Sequence, residues 1–288
     1  MYTAKIQNRG GDLLILTGDE PVYQIVSITG LNPPRAQVNT TAMAGLDGAR
    51  YNSAKLNTRN IVITVRINGD VETNRLRLYR YFRTKEWCTF FYANGSVDVQ
   101  IDGYVEAVEC DLFSMAETAQ ISILCPQPYF RSISEMVADS SAVFSVFCFP
   151  FSINIGEPVQ ISTTVTGADG AVDVYNGSES EAGVTVEVLF SAAAESLEIK
   201  NTSSGEYIKL IYDFLANDQV TINTNKGSKS ITLIRDGEIS NIFPALTEGS
   251  AFFQLIVGNN HFEYLLDNEI NTEDVELVFR WYTLYRGV

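Results

Sequence analysis

Alternation of apolar and polar residues with a period of two runs through most of this chain. In Ile61-Val62-Ile63-Thr64-Val65-Arg66-Ile67 every odd position is apolar and the even positions are mixed. That is the pattern of a strand with one face buried and the other half-exposed. Asn68-Gly69-Asp70 ends the run, and the Asp70 carboxylate is placed to cap a helix expected over residues 71–84. Leu76, Leu78, Tyr79 and Phe82 recur there at three- to four-residue spacing, with Arg75, Arg77, Arg80, Arg83 and Lys85 between them. Residues 87–92 then lead into a long strand in which Val97, Val99 and Ile101 share one parity. Beyond Asp102-Gly103 the parity flips to Val108, Cys110 and Leu112, which predicts a bulge or bend at the glycine. The opposite face carries Asp98, Glu106, Glu109 and Asp111, and the partner strand is 120–125, reached through Ser114-Met115-Ala116-Glu117. An isolated hairpin is marginal in water, so this one either lies on its own sheet or pairs with a neighbouring subunit.

Cys125-Pro126-Gln127-Pro128-Tyr129-Phe130 reads as a proline hinge, dividing the chain into domains at 1–130 and 131–288. In the second part Val184, Val186, Val188 and Phe190 alternate. Hairpin turns are expected at Asn201–Gly205 and Asn225–Ser228, and Val275, Leu277, Phe279 and Trp281 form the last strand. Many short strands without an amphipathic helix predict a β-sandwich of jelly-roll type. The expected class is therefore mainly β, with a single helix in the first domain.

A length of 288 residues, 45 % of them hydrophobic, suffices for packed cores in both domains. The longest apolar run, Phe144–Phe151, is broken by Ser145 and Pro150 and is far shorter than a membrane span. Met1-Tyr2-Thr3-Ala4-Lys5 has no basic segment ahead of an apolar core, so no signal peptide is expected. The net charge of −15, from 35 acids and 20 bases, opposes non-specific nucleic-acid binding, which depends on cations displacing counterions. It fits a soluble surface, and equally a conduit through which DNA slides without sticking.

Cys88, Cys110, Cys125 and Cys148 form no CxxC pair and His261 is the sole histidine, so no metal site is expected and the thiols are read as reduced. Gly167–Asp173 lacks the glutamate of a calcium loop. No Walker loop, GxGxxG or HExxH is present, and His261 has no motif-linked nucleophile, so the chain is read as non-enzymatic and without a cofactor.

Several short pieces, in order, resemble the phage distal tail protein family, the tail-tip hub of long-tailed phages. They are Gly30-Leu31-Asn32-Pro33-Pro34, Asp47-Gly48, Arg59–Ile63, Asn74–Phe82, Gly103-Tyr104-Val105-Glu106 and Cys125–Phe130. Phe147-Cys148-Phe149-Pro150, Tyr175-Asn176-Gly177-Ser178, Gly258-Asn259-Asn260 and Tyr282–Val288 extend the resemblance over nearly the whole chain, more loosely after Phe151. The resemblance implies a hexameric ring of N-terminal domains around a channel, with galectin-like C-terminal sandwiches projecting outward. It also implies contacts with the tail tube protein on one face and with a tail-associated spike or lysin on the other. The expected location is the tip of a phage or prophage virion, after assembly in the bacterial host cytoplasm, with DNA passing through unbound.

The basic residues Arg75, Arg77, Arg80 and Arg83 are read either as a solvated face or as a docking surface. Glu106, Glu109 and Asp111 are the matching candidates on the hairpin. A host-surface glycan-binding module is the alternative function, with Trp281 and several tyrosines available to stack on a sugar ring.

Overall fold

The computed structural model describes residues 2–45, 47–111, 117–145, 162–166, 171–267 and 274–288, with 141–145 and 162–166 described as backbone only. The expected strand end at Leu112, the Ser114–Ala116 turn, the Phe147–Pro150 motif with Cys148, and Gly167–Gly170 lie outside the described residues. The chain divides into two units, one made of Met1–Ile133 and Leu284–Val288, the other of Ser134–Thr283. A linear cut at 130/131 does not express this, because the first unit is completed by the chain's last residues.

The first unit contains β1 (Thr3–Asn8), β2 (Leu13–Leu16), β3 (Tyr23–Thr29), β4 (Ala36–Ala42), β5 (Ala49–Leu56), β6 (Arg59–Ile67), α1 (Val71–Tyr81), β7 (Trp87–Ala93), β8 (Asp98–Cys110), β9 (Thr118–Cys125) and β10 (Phe130–Ser132). Its main sheet runs β2-β1-β7-β8-β9-β6-β3. The two outer ends meet where Ile25 N donates to Thr17 O at 3.2 Å, so the sheet curls back on itself around its core. The β8–β9 hairpin is built into this sheet, between β7 and β6.

The parity read in β6 is the parity of burial: Ile61, Ile63, Val65 and Ile67 all face the core. Two residues earlier, the same parity sends a cation inward. Arg59 is 3 % exposed and no carboxylate pairs with it among the described residues. Instead its Nε donates to Pro128 O at 2.8 Å, its Nη1 to Asn32 O at 2.8 Å and to Gly30 O, and its Nη2 to Arg286 O. The guanidinium also stacks over the Phe130 ring, 4.4 Å from its centre. Burial pushes it below its ordinary pKa, yet the carbonyl dipoles keep a charge that an isolated buried ion could not hold. This cation gathers the loop at residues 30–34, the proline hinge and the C-terminal residues. Around it β23 (Leu284–Tyr285) pairs with β10, and Val288 N donates to Leu31 O at 3.1 Å. Two glycines permit the approach. A Cβ on Gly30 would lie 2.1 Å from Asn60 O, and one on Gly287 would lie 2.7 Å from the Pro33 ring.

The helix starts at Val71 under the Asp70 cap, whose carboxylate accepts from Thr73 Oγ1 at 2.7 Å. It stops at Tyr81 rather than near residue 84. Lys85 adopts a left-handed backbone (φ 72°) and donates through its N–H to Val105 O at 2.8 Å, which turns the chain into the sheet. Arg83 and Lys85 therefore lie beyond the helix. The buried stripe also differs from expectation: Leu78 and Phe82 are buried with Val71 and Tyr81 against them, while Leu76 is 42 % exposed. At 100° per residue, position 76 faces almost opposite to position 78.

The bulge in β8 falls at Glu106, where the register shifts between Val105 and Ala107, and not at Gly103. Gly103 stays in phase and has another role. A Cβ there would meet Ile123 Cγ2 at 2.6 Å and Cys125 Sγ at 2.9 Å, so the glycine lets the β9 side chains close over β8. Burial pushes the thiols of Cys88 and Cys125 up to about 12.

The second unit contains β11 (Met136–Asp139), β12 (Ser141–Ser145), β13 (Ser162–Thr166), β14 (Ala171–Asn176), β15 (Thr185–Phe190), β16 (Ala194–Asn201), β17 (Tyr207–Phe214), β18 (Gln219–Asn223), β19 (Ser230–Arg235), β20 (Glu238–Asn241), β21 (Gly258–Leu266) and β22 (Val275–Trp281). A six-stranded sheet, β11-β22-β15-β18-β19-β20, faces a four-stranded sheet, β14-β21-β16-β17. Phenylalanines join the two faces, Phe190 stacking on Phe214 at 4.4 Å and Phe262 meeting Phe279 at 4.7 Å. The expected hairpin turns join β16 to β17 and β18 to β19. Three buried asparagines pin this unit. Asn201 Nδ2 donates to Asn260 Oδ1 at 3.0 Å, Asn260 bonds both backbone groups of Ile256, and Asn176 Nδ2 reaches Leu255 O at 3.0 Å.

Replacing Arg59 by lysine keeps the charge but loses the fork, leaving carbonyls unsatisfied. R59K should lower the unfolding free energy of the first unit by about 2–4 kcal/mol. Hydrogen exchange should show peptides 126–132 and 284–288 losing protection together; full protection at 284–288 would contradict the clamp. Iodoacetamide at pH 8 should leave Cys88 and Cys125 unmodified in the native protein and label both after unfolding, a difference read by peptide mass spectrometry. Native-state labelling of either thiol would contradict their burial.

Candidate assembly surface

The helix lies against the core through Leu78 and Phe82 and is tied down by two tyrosines. Tyr23 Oη donates to Asn74 O at 2.9 Å, and Tyr81 Oη lies within hydrogen-bond reach of Ile6 O and Asp12 O at 2.5 and 2.7 Å. Burial raises both phenols, that of Tyr81 to about 12, so they remain neutral donors. With the helix so anchored, its four arginines have different surroundings. Arg75 is committed within the helix: its guanidinium holds Glu72 at 2.6 Å and sits over the Tyr79 ring, 5.4 Å from its centre. The Glu72 hydrogen bond raises its pKa further. Arg83 lies 3.8 Å from Glu86 on an exposed turn, a loose pair. Arg77 and Arg80 are exposed and form no ion pair among the described residues. They line a 490 Å³ cavity with Leu13, Leu14, Tyr23 and Tyr81.

The hairpin acids are all exposed, as expected of an outer face. Glu106 is engaged within the sheet, accepting from Ser122 Oγ at 2.8 Å and Asn60 Nδ2 at 3.4 Å. Asp111 accepts from Thr118 Oγ1 at 3.2 Å, and Glu109 extends into solvent. On the helix the Tyr79 phenol interacts with the thiol of Cys110, the residue between Glu109 and Asp111, which accepts from it and raises its pKa. None of the four arginines pairs with Glu106, Glu109 or Asp111 in the same chain among the described residues.

The features named for sugar binding fare unevenly. Trp281 is 5 % exposed and packs in the core, so its indole cannot present a face to a ligand. Tyr175 is exposed on the outer face of the four-stranded sheet. His261 lies on that face in the central strand β21, with Nδ1 2.7 Å from Asp173 Oδ1, half-exposed and away from any sheet edge. Among the described residues no cluster of three metal-binding side chains occurs, and no helix is long and apolar enough to cross a membrane.

Sequence reasoning missed the segment between β3 and β6. β4 and β5 form a two-stranded ribbon that pairs with no other described strand, and nearly every residue of it is exposed. Its apolar residues are mostly alanines, with single Val38, Tyr51 and Leu56, too weak a signal to stand out by periodicity.

Residues 177–281 match the family model of the siphovirus-type tail component, C-terminal domain. No curated protein matches the sequence. Among solved structures the chain is similar to the Dit protein (gp 19.1) of phage SPP1, described as a paradigm of the hub adsorption apparatus of phages infecting Gram-positive bacteria. The identity is 14 % and the TM-score 0.70, covering 97 % of this chain and 98 % of that one. It is also similar to chains of the phage p2 baseplate in its activated conformation. With calcium the identity is 12 % and the TM-score 0.53 over 98 % of each chain; with strontium they are 12 % and 0.54 over 97 % and 98 %. The matched domain and the shared fold support the phage distal tail protein family indicated by the short motifs.

Since Arg77 and Arg80 are exposed and form no ion pair among the described residues, R77A/R80A should change the unfolding free energy by less than about 0.5 kcal/mol. A loss above about 1 kcal/mol in urea titration would make them structural residues instead.

Proposed function

We propose that this chain is a structural hub of a phage or prophage tail tip, whose first unit closes into a hexameric ring and whose second unit is carried on that ring. The single observation that carries the reading is the end-to-end likeness of fold to the SPP1 hub protein, over 97 % of this chain and 98 % of that one. The role is architectural rather than catalytic. A ring matches the rotational symmetry of a tube, and a heterologous contact repeated about one axis closes it.

In this reading Arg77 and Arg80 of one copy face Glu109 and Asp111 of the next, with Arg75, Arg83 and Glu106 at the margin. Two exposed cations and two exposed acids, unpaired with each other in one chain, are suited to meet across a repeated interface. The ring joins the tail tube on one face to the spike or lysin on the other, and its acidic surface lets DNA pass without adhering. The units are taken as an N-terminal ring-forming domain and a C-terminal galectin-like sandwich.

R77E/R80E should convert the assembled species to monomers on a sizing column at moderate salt. Combining it with E109R/D111R in the same chain should restore at least part of the assembly. An unchanged elution position for R77E/R80E would remove the helix from the interface.

A further inference from the structure

The ribbon β4–β5 has two chemically distinct faces. The register pairs Ala36 with Leu56, Val38 with Ala54, Thr40 with Tyr51 and Ala42 with Ala49, and these side chains share one face. The other face carries Gln37, Asn39 and Thr41 opposite Lys55, Ser53 and Arg50. Hydrogen bonds on that side, Asn39 Nδ2 to Ser53 Oγ at 3.1 Å and Asn52 Nδ2 to Thr41 Oγ1 at 2.7 Å, confirm the sidedness. The register slips between Asn39 and Thr40, with Asn52 as the extra residue. Without that bulge Tyr51 would rotate to the polar side; with it the apolar face stays continuous along the ribbon. Yet the face is bare: Val38 is 54 % exposed and Tyr51 62 %. A two-stranded ribbon is marginal by itself, and at about 3.3 Å per residue this one reaches some 25 Å from its base.

A receptive surface exists on the same unit. A 470 Å³ groove is lined by Tyr2, Ile25, Ile28, Leu31 and Tyr92, with Asp19 at its rim. The Tyr2 and Tyr92 rings stack 6.4 Å apart along one wall. Its volume falls within the ~300–1,000 Å³ of pockets that bury a compact apolar body. Charge favours a second copy as the partner. Residues 35–57 hold Arg35, Arg50 and Lys55 against Asp47 alone, so in a chain of net charge −15 the remainder carries −17. The cations sit beside or opposite the apolar face, where their long side chains can reach an acidic rim while that face is buried.

We infer that the apolar face of the β4–β5 ribbon docks into the Tyr2–Ile28–Tyr92 groove of a second copy of this chain. The contact is heterologous, ribbon of one copy into groove of the next, and so propagates in one direction. It rests on the ring reading and supplies an interface separate from Arg77 and Arg80.

The test uses the full chain and sedimentation velocity. The ribbon variant V38E/Y51E and the groove variant I28E should each fold, by circular dichroism and melting temperature, and each should self-associate at least tenfold more weakly than wild type. Mixed, they should form a one-to-one pair and nothing larger, because the first retains a groove and the second a ribbon. Y2R, at a position 71 % exposed, takes the place of I28E if that variant does not fold. A ribbon variant that assembles like wild type, or a mixture that stays monomeric while wild type assembles, overturns the docking and leaves the ring reading intact. A wild type that forms open chains, while the mixture still pairs, overturns the ring and leaves the docking. A wild type monomeric at tens of micromolar overturns both.

Discussion

The first unit depends on a buried cation that pairs with no carboxylate among the described residues. Arg59 is held by the carbonyls of Gly30, Asn32, Pro128 and Arg286 and by the face of Phe130, groups drawn from three separated stretches of chain. Carbonyl dipoles can hold a guanidinium in the interior because its planar fork presents five donors in fixed directions, so each lost bond leaves both a donor and an acceptor unsatisfied. The consequence is topological. The strand pair β10–β23, and with it the chain's last residues, is locked to the sheet beside the proline hinge. The position from which the ribbon β4–β5 leaves the body is set by the same cation, since Gly30 and Asn32 lie just ahead of it.

The short motifs of the sequence acquire a physical meaning here. Gly30–Pro34, Arg59, Cys125–Phe130 and Tyr282–Val288 are uninformative singly, and in space most of their residues converge on the Arg59 cluster. In the second unit Asn176 and Asn260, each from another of the short motifs, are buried amides like Asn201, with Asn260 accepting from Asn201 and Asn176 donating to the Leu255 carbonyl. Such residues are recognisable in a sequence because their geometry is demanding: a fork of donors, a buried amide, a glycine where a Cβ would strike backbone.

Strand parity made the core legible in β6, β15 and β22, where one face is fully buried. It failed where burial is partial or where the chain changes phase. The bulge at Glu106 was displaced from the glycine expected to cause it, because Gly103 is needed for close packing instead. Leu76 was misplaced because its three-residue spacing from Tyr79 looks helical while its angle faces solvent. The candidate arginines were legible as a group, but not the division between Arg75, spent on Glu72 and Tyr79, and Arg77 and Arg80, which remain available. The ribbon was invisible because an alanine-rich apolar face becomes meaningful only once the register and its bulge are known.

In the proposed reading, an acidic body, two available arginines and a bare amphipathic ribbon belong to a protomer whose surface is completed by its neighbours. Imaging the purified full-length protein by electron microscopy tests that account most directly. It predicts closed annuli with a central pore and six repeats around the rim. Scattered single particles at concentrations of tens of micromolar, captured by cross-linking before dilution onto the grid, would contradict it.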